Sequence, residues 1–258
     1  MHGQKRAQWI KALKNAVFFL AYFCVLLLVW TLVCKAVKNE YIFPTIGQVF
    51  DETGKLLIEP FFYRSFLSSF LRAICAFCIS FVLALVVAVL AKIFPLAERV
   101  VAPIVAVLRS LPTMAIMLIL LIWATPKSAP VIVAGLALFP MLYTGISSAL
   151  ATIDKDLEAL CKVYRVPLKR RIFSMYLPIA SPYIVREATG GASFSLKLVV
   201  SAEVLASTFI SLGGMLQTSK IYMQTARTIA LAVIVVLVGL LIESLGIFLA
   251  RFVERRVQ

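Results

Sequence analysis

Six largely apolar runs of 19 to 26 residues constrain this chain more than any other feature of its sequence. An α-helix rises about 1.5 Å per residue and needs roughly 20 apolar residues to cross the roughly 30 Å of bilayer hydrocarbon. Residues 16–34 and 129–153 carry no charge, while 66–91 holds only Arg72, 100–124 only Arg109 and 228–250 only Glu243. The run 183–206 is the least apolar, with Arg186, Glu187, Lys197 and Glu203. At 62% hydrophobic residues and a mean hydropathy of +0.99, the chain exceeds the roughly 45–50% apolar share of soluble domains. Because that excess is gathered into long runs, lipid is its solvent. The expectation is an all-α integral membrane protein of about six transmembrane helices, folded as one membrane domain over residues 1–258.

The formal charge of +14 follows the same pattern. Fifteen Lys and Arg residues fall at the amino end, after the second and fourth runs, and in the tail; seven fall on the alternate side, and four lie inside the runs. The positive-inside rule then places both termini in the cytoplasm. Bases that flank apolar runs, with no basic face on a soluble fold, argue against nucleic-acid binding and for anionic headgroups. Run 16–34 is too long for a signal-peptide core and lacks an A-x-A site, so it reads as an uncleaved anchor. Cys75-x-x-Cys78 has redox spacing, but its Ala, Ile and Phe neighbours mark it as buried apolar filler. His2, the sole histidine, lies at the terminus, and no Cys/His grouping suits a metal.

Between the fourth and fifth runs, Asp154–Pro182 is the informative polar segment. Asp154 or a neighbour can cap a helix whose Leu157, Leu160, Cys161 and Tyr164 recur at helical spacing, with Glu158 and Lys162 an i,i+4 pair. Pro167 fits the first turn of a second short helix, Leu168 to Tyr176, which Pro178 and Pro182 terminate or kink. By itself this is a membrane-surface hairpin with its bases on lipid phosphates.

The segment also resembles the EAA loop of binding-protein-dependent ABC permeases, in Glu158-Ala159, Val163-Tyr164 and Leu177-Pro178. It departs in having Leu160 at the second Ala and Tyr164 or Arg165 at the Gly position. Further matches to the nitrate/sulfonate/taurine branch are Arg109-Ser-Leu-Pro112, Lys197 with Ala202-Glu203-Val204, Leu212-Gly213-Gly214-Met215-Leu216 and the basic Glu254-Arg255-Arg256 ending. The resemblance implies a type I importer permease in a bacterial inner membrane. It also implies a second permease copy, separate ATPase subunits that carry ATP and Mg, and an extracytoplasmic solute-binding protein. Asp156, Glu158, Ala159, Lys162, Val163, Tyr164 and Arg165 would then face the ATPase. Consistently, Gly54-Lys55 lacks the rest of a Walker A motif, so ATP hydrolysis belongs to another polypeptide.

Ionisable side chains inside a bilayer are costly and face a bundle interior or a wet path. That singles out Arg109, Lys197, Glu203 and Glu243. Arg109 and Glu203 are expected to pair between helices, with contact to an anionic or polar substrate as the second reading for Arg109 and Lys197. Gly135, Gly145, Gly190 and Gly191 are expected to permit close helix approach, and the outer segment 38–65 is read as a surface linker that could touch a binding protein. An ATP-independent transporter or channel remains the alternative, and nothing in the residues selects a substrate.

Overall fold

A computed structural model of the chain describes residues 18, 21–22, 24–37, 39 and 42–257. His2, the basic amino end and much of the first half of run 16–34 lie outside the described residues, as do the side chains of the tail. All regular structure among the described residues is helical. They form two compact units, one of residues 1–58 with 219–230 and one of residues 59–218 with 231–258.

The first unit holds α1 (Cys24–Val37) and α2 (Ile46–Ile58). Trp30 Nε1 donates to the Pro44 carbonyl at 3.2 Å, and its ring lies 5.1 Å from Phe43, fixing the turn between the helices. A capping box starts α2: Thr45 N donates to Gln48 Oε1 at 2.9 Å, and Gln48 N donates to Thr45 Oγ1 at 3.3 Å. Part of the expected outer linker is therefore a helix. On its exposed face Lys55 donates to Glu52 at 2.6 Å, and that hydrogen bond raises the Lys55 pKa.

The second unit is built on α3 (Pro60–Ile93), α6 (Ala129–Ala151) and α9 (Leu177–Ala206), which pack on one another. The side chains of α3 are sorted by size. Ser65, Ser69, Ala73, Ala76, Ser80, Ala84 and Ala88 point inward, while Leu67, Leu71, Ile79, Val82, Leu83 and Val86 point outward. A soluble protein buries the large aliphatics. A lipid-facing helix gains nothing from doing so, and small inward residues let backbones approach until serines bridge them. Ser80 Oγ donates to the Gly135 carbonyl at 3.0 Å, Ser195 Oγ to the Ala73 carbonyl at 2.7 Å and Ser193 Oγ to the Gly239 carbonyl at 3.0 Å. The last contact reaches α11 (Thr225–Val257). Cys75 and Cys78 are exposed on the outward face of α3, so the expected burial of this pair is corrected.

Three helices among the described residues are long and apolar enough to cross a membrane: Pro60–Ile93, Ala129–Ala151 and Thr225–Phe248. The fifth expected span lies within the 30-residue α9, whose four charges keep it out of that apolar class. The third expected span, 100–124, is not one helix. It is α4 (Pro95–Ser110) and α5 (Thr113–Trp123), bent by 94°. Pro112 forces the break, because its ring drives Leu111 out of the helical region to φ −71°, ψ 128°.

The connection between α6 and α9 contains α7 (Lys155–Val163), α8 (Leu168–Arg171) and a π-helical turn, Ile172–Tyr176, that runs without a break into α9. Pro178 and Pro182 both lie within this continuous helical run, which extends to Ala206. The expected termination at these prolines does not occur. Beyond α9, α10 (Leu212–Ile221) leads towards α11.

Candidate functional site

The α7 segment begins as its sequence dictates. Asp154 is extended and its Oδ1 accepts from Asp156 N at 2.9 Å. Asp156 and Glu158 fall in the first turn and Lys162 in the last, each favourable to the helix dipole. Tyr164 ends the helix and Arg165 follows at φ 49°, a left-handed conformation usually given to glycine. Arg165 N donates to the Lys162 carbonyl at 3.1 Å and Val166 N to the Cys161 carbonyl at 3.0 Å, completing a Schellman motif. Of the two positions left open for the missing Gly, Arg165 is the one with glycine-like geometry.

The expected Glu158–Lys162 pair does not form. Glu158 instead lies 2.8 Å from Lys92, at the end of α3, so α7 is tied to a long helix and not braced internally. Cys161 Sγ lies 3.4 Å from Met175 Sδ, seating α7 on the π turn. Arg171, in α8, stacks over the Tyr176 ring and donates to its hydroxyl. Held at these points, α7 leaves Asp156, Ala159, Lys162 and Arg165 exposed. Its apolar residues are uncovered too: Leu160 is 51% exposed, Val163 76% and Tyr164 77%.

Glu203 is wholly buried. Its partner is Arg72, whose Nη1 donates to Oε1 at 2.6 Å, and not Arg109 as expected. Ser69 Oγ donates to Glu203 Oε2 at 2.7 Å and accepts from Leu212 N at 2.9 Å, while Gly213 N donates to Oε2 at 3.2 Å. One carboxylate thus joins α3, α9 and the first turn of α10. A Cβ on Gly213 would collide with Glu203 and with the backbone of Val200 and Val204, so only glycine fits there. Thr208 Oγ1 donates to the Pro126 carbonyl at 2.7 Å, adding the α5–α6 connection to this brace.

Arg72 escaped the sequence reading, although depth along the spans identifies it. It lies near the start of the second run and Glu203 near the end of the fifth, which the alternating orientation puts at the same membrane face. Arg109 and Lys197 are exposed, and neither makes a hydrogen bond or ion pair among the described residues. Arg109 lines a cavity at the α4–α5 bend, and Lys197 Cε lies near Gly239 of α11. Glu243 is exposed on α11. Of the expected small-residue contacts, Gly135 meets Ser80, Gly145 meets Glu187 and Gly191 meets Leu142, but Gly190 faces open space.

Long lipid-facing helices, a buried ion pair bracing them and an exposed amphipathic helix between spans define an all-helical membrane protein. The chain belongs to the binding-protein-dependent transport system inner membrane component family, whose profile matches residues 80–258. It is 23% identical over 260 residues to the aliphatic sulfonates transport permease SsuC of Bacillus subtilis, covering 99% of this chain and 89% of that one. It is 25% identical over 192 residues to the nitrate import permease NrtB of Synechocystis, covering 70% and 69%. The fold matches the inward-facing MetNI methionine ABC transporter at TM-score 0.63 and 19% identity, over 74% of this chain and 95% of that one. An amino acid ABC transporter solved with histidines gives 0.60 and 17%, over 76% and 94%. The chain is therefore the permease component of an ABC importer.

Proposed function

We propose that two copies of this permease work with two separate ATPase subunits, which bind and hydrolyse ATP with Mg, and with an external solute-binding protein. Residues 1–258 act as one permease domain with both termini in the cytoplasm, where the basic segments concentrate. The observation that carries the reading is α7: a short helix outside the spans with Leu160, Val163 and Tyr164 uncovered. Such a face needs a protein to cover it, and an ATPase groove is the fitting occupant. Asp156, Glu158, Ala159, Lys162, Val163, Tyr164 and Arg165 form this docking surface, and movement of the ATPases reaches α3 through the Glu158–Lys92 pair.

The solute carries an anionic group. Arg109 and Lys197 are cations with no hydrogen-bond or ion-pair partner among the described residues, and the two relatives are named for anions, aliphatic sulfonates and nitrate. The docking test is co-purification with the ATPase. Val163→Asp and Tyr164→Asp are expected to abolish it while the permease keeps its wild-type elution and melting temperature. Undiminished co-purification of both variants would remove α7 as the docking element.

A further inference from the structure

The cavity at the α4–α5 bend has a volume of about 430 Å³, within the range of roughly 300–1,000 Å³ for small-molecule sites. It lies at the 94° break, with Leu108, Arg109 and Leu111 before the bend and Thr113 and Ile116 after it. Its wall holds one cation, Arg109, and one carboxylate, Glu187, with Thr113 and Thr144 between apolar side chains. Glu187 is half-buried on α9 and Arg109 is exposed at the end of α4, so the cavity is a groove open on one side.

Two observations separate this cavity from an ordinary ion pair. Arg109 and Glu187 line the same space yet form no ion pair with each other, and neither has another hydrogen-bonding or charged partner among the described residues. The Glu187 carboxylate is also given room by a missing side chain, because a Cβ on Gly145 would fall on its Cδ and Oε2. A free carboxylate and a free guanidinium facing one small cavity are costly in a membrane protein, and a solute that meets both offsets the cost. A simple anion would satisfy Arg109 and be repelled by Glu187.

We infer that this cavity is a solute site for zwitterions, in which Arg109 takes the carboxylate or sulfonate of the solute and Glu187 takes its ammonium group. Small amino-carboxylates and amino-sulfonates fit this description. Nitrate and simple alkyl sulfonates do not. The inference rests on the permease reading above and narrows its substrate from an anion to a solute bearing both charges.

The test uses the full permease reconstituted with its ATPase subunits in lipid nanodiscs, without binding protein. Equilibrium binding is measured for 4-aminobutanoate against butanoate, and for 2-aminoethanesulfonate against ethanesulfonate. At least one amino compound is expected to bind tenfold or more tightly than its partner lacking the amine. Glu187→Gln should erase that preference without weakening the simple anion, and Arg109→Gln should weaken both by tenfold or more. Gly145→Ala, which displaces the carboxylate without removing it, should reduce the preference in part. Equal binding within both pairs, a preference that survives Glu187→Gln, or no binding of any probe overturns the inference. Any of these in a complex that retains its ATPase subunits sinks the zwitterion site alone, whereas failure to assemble with an ATPase sinks the reading beneath it.

Discussion

Removing Arg72 leaves the Glu203 carboxylate buried beside Ser69 and Gly213 with its charge uncompensated. Breaking a buried pair in this way costs about 3–5 kcal/mol. Arg72→Ala should therefore lower the melting temperature of the detergent-solubilised protein well below that of Glu203→Gln, which loses the charge but keeps hydrogen-bonding atoms. Equal melting of the two would mean that charge is not what the site needs. The reverse sign is expected at Arg165: its left-handed φ of 49° strains any residue with a Cβ, so Arg165→Gly should stabilise the loop by about 1 kcal/mol. The sequence marked Glu203 as needing a partner because a carboxylate inside a span cannot stay alone. It did not mark the partner by spacing, since Arg72 is 131 residues away and no local pattern links them.

At the scale of elements, the Lys92–Glu158 ion pair ties α3 to α7. Lys92→Glu should let ATP hydrolysis continue while solute moved per ATP falls several-fold, and the double exchange Lys92→Glu with Glu158→Lys should restore most of the ratio. Reconstituted transport with parallel phosphate release checks it; a double variant no better than the single one would deny the tether. The small inner face of α3 gives another expectation. Ala76→Leu pushes a large side chain into a fully buried position and should cost about 1–3 kcal/mol, whereas Leu83→Ala on the outer face should cost much less. Thermal melting in the same detergent separates the two. Helices α3, α6 and α11 were legible because length and apolarity decide a span. The break between α4 and α5 was legible only in Pro112: total apolarity of 100–124 says span, while the proline's geometry says two helices. The α2 capping box lies in Thr45 and Gln48, but a Thr-x-x-Gln spacing inside a polar segment does not by itself mark a helix start.

Across the whole molecule, the outward faces of α3 and α11 carry the large aliphatics, and the polar contacts are kept between helices, as lipid requires. The family was legible in the order of several weak matches along the chain, because α7, the Arg109–Pro112 break and the Leu212–Gly214 turn each occupy a defined place in the fold. The interior charge assignments were less so, because they depend on which helices meet. Under the proposed coupling, this permease imports solute only when ATPase subunits work upon it. The most direct test of that coupling is uptake into proteoliposomes containing the permease and ATPase subunits, with binding protein outside and ATP inside. Concentrative uptake is expected to require internal ATP and to be lost when the ATPase subunits are left out. Undiminished concentrative uptake by the permease alone, driven by an ion gradient, would contradict it.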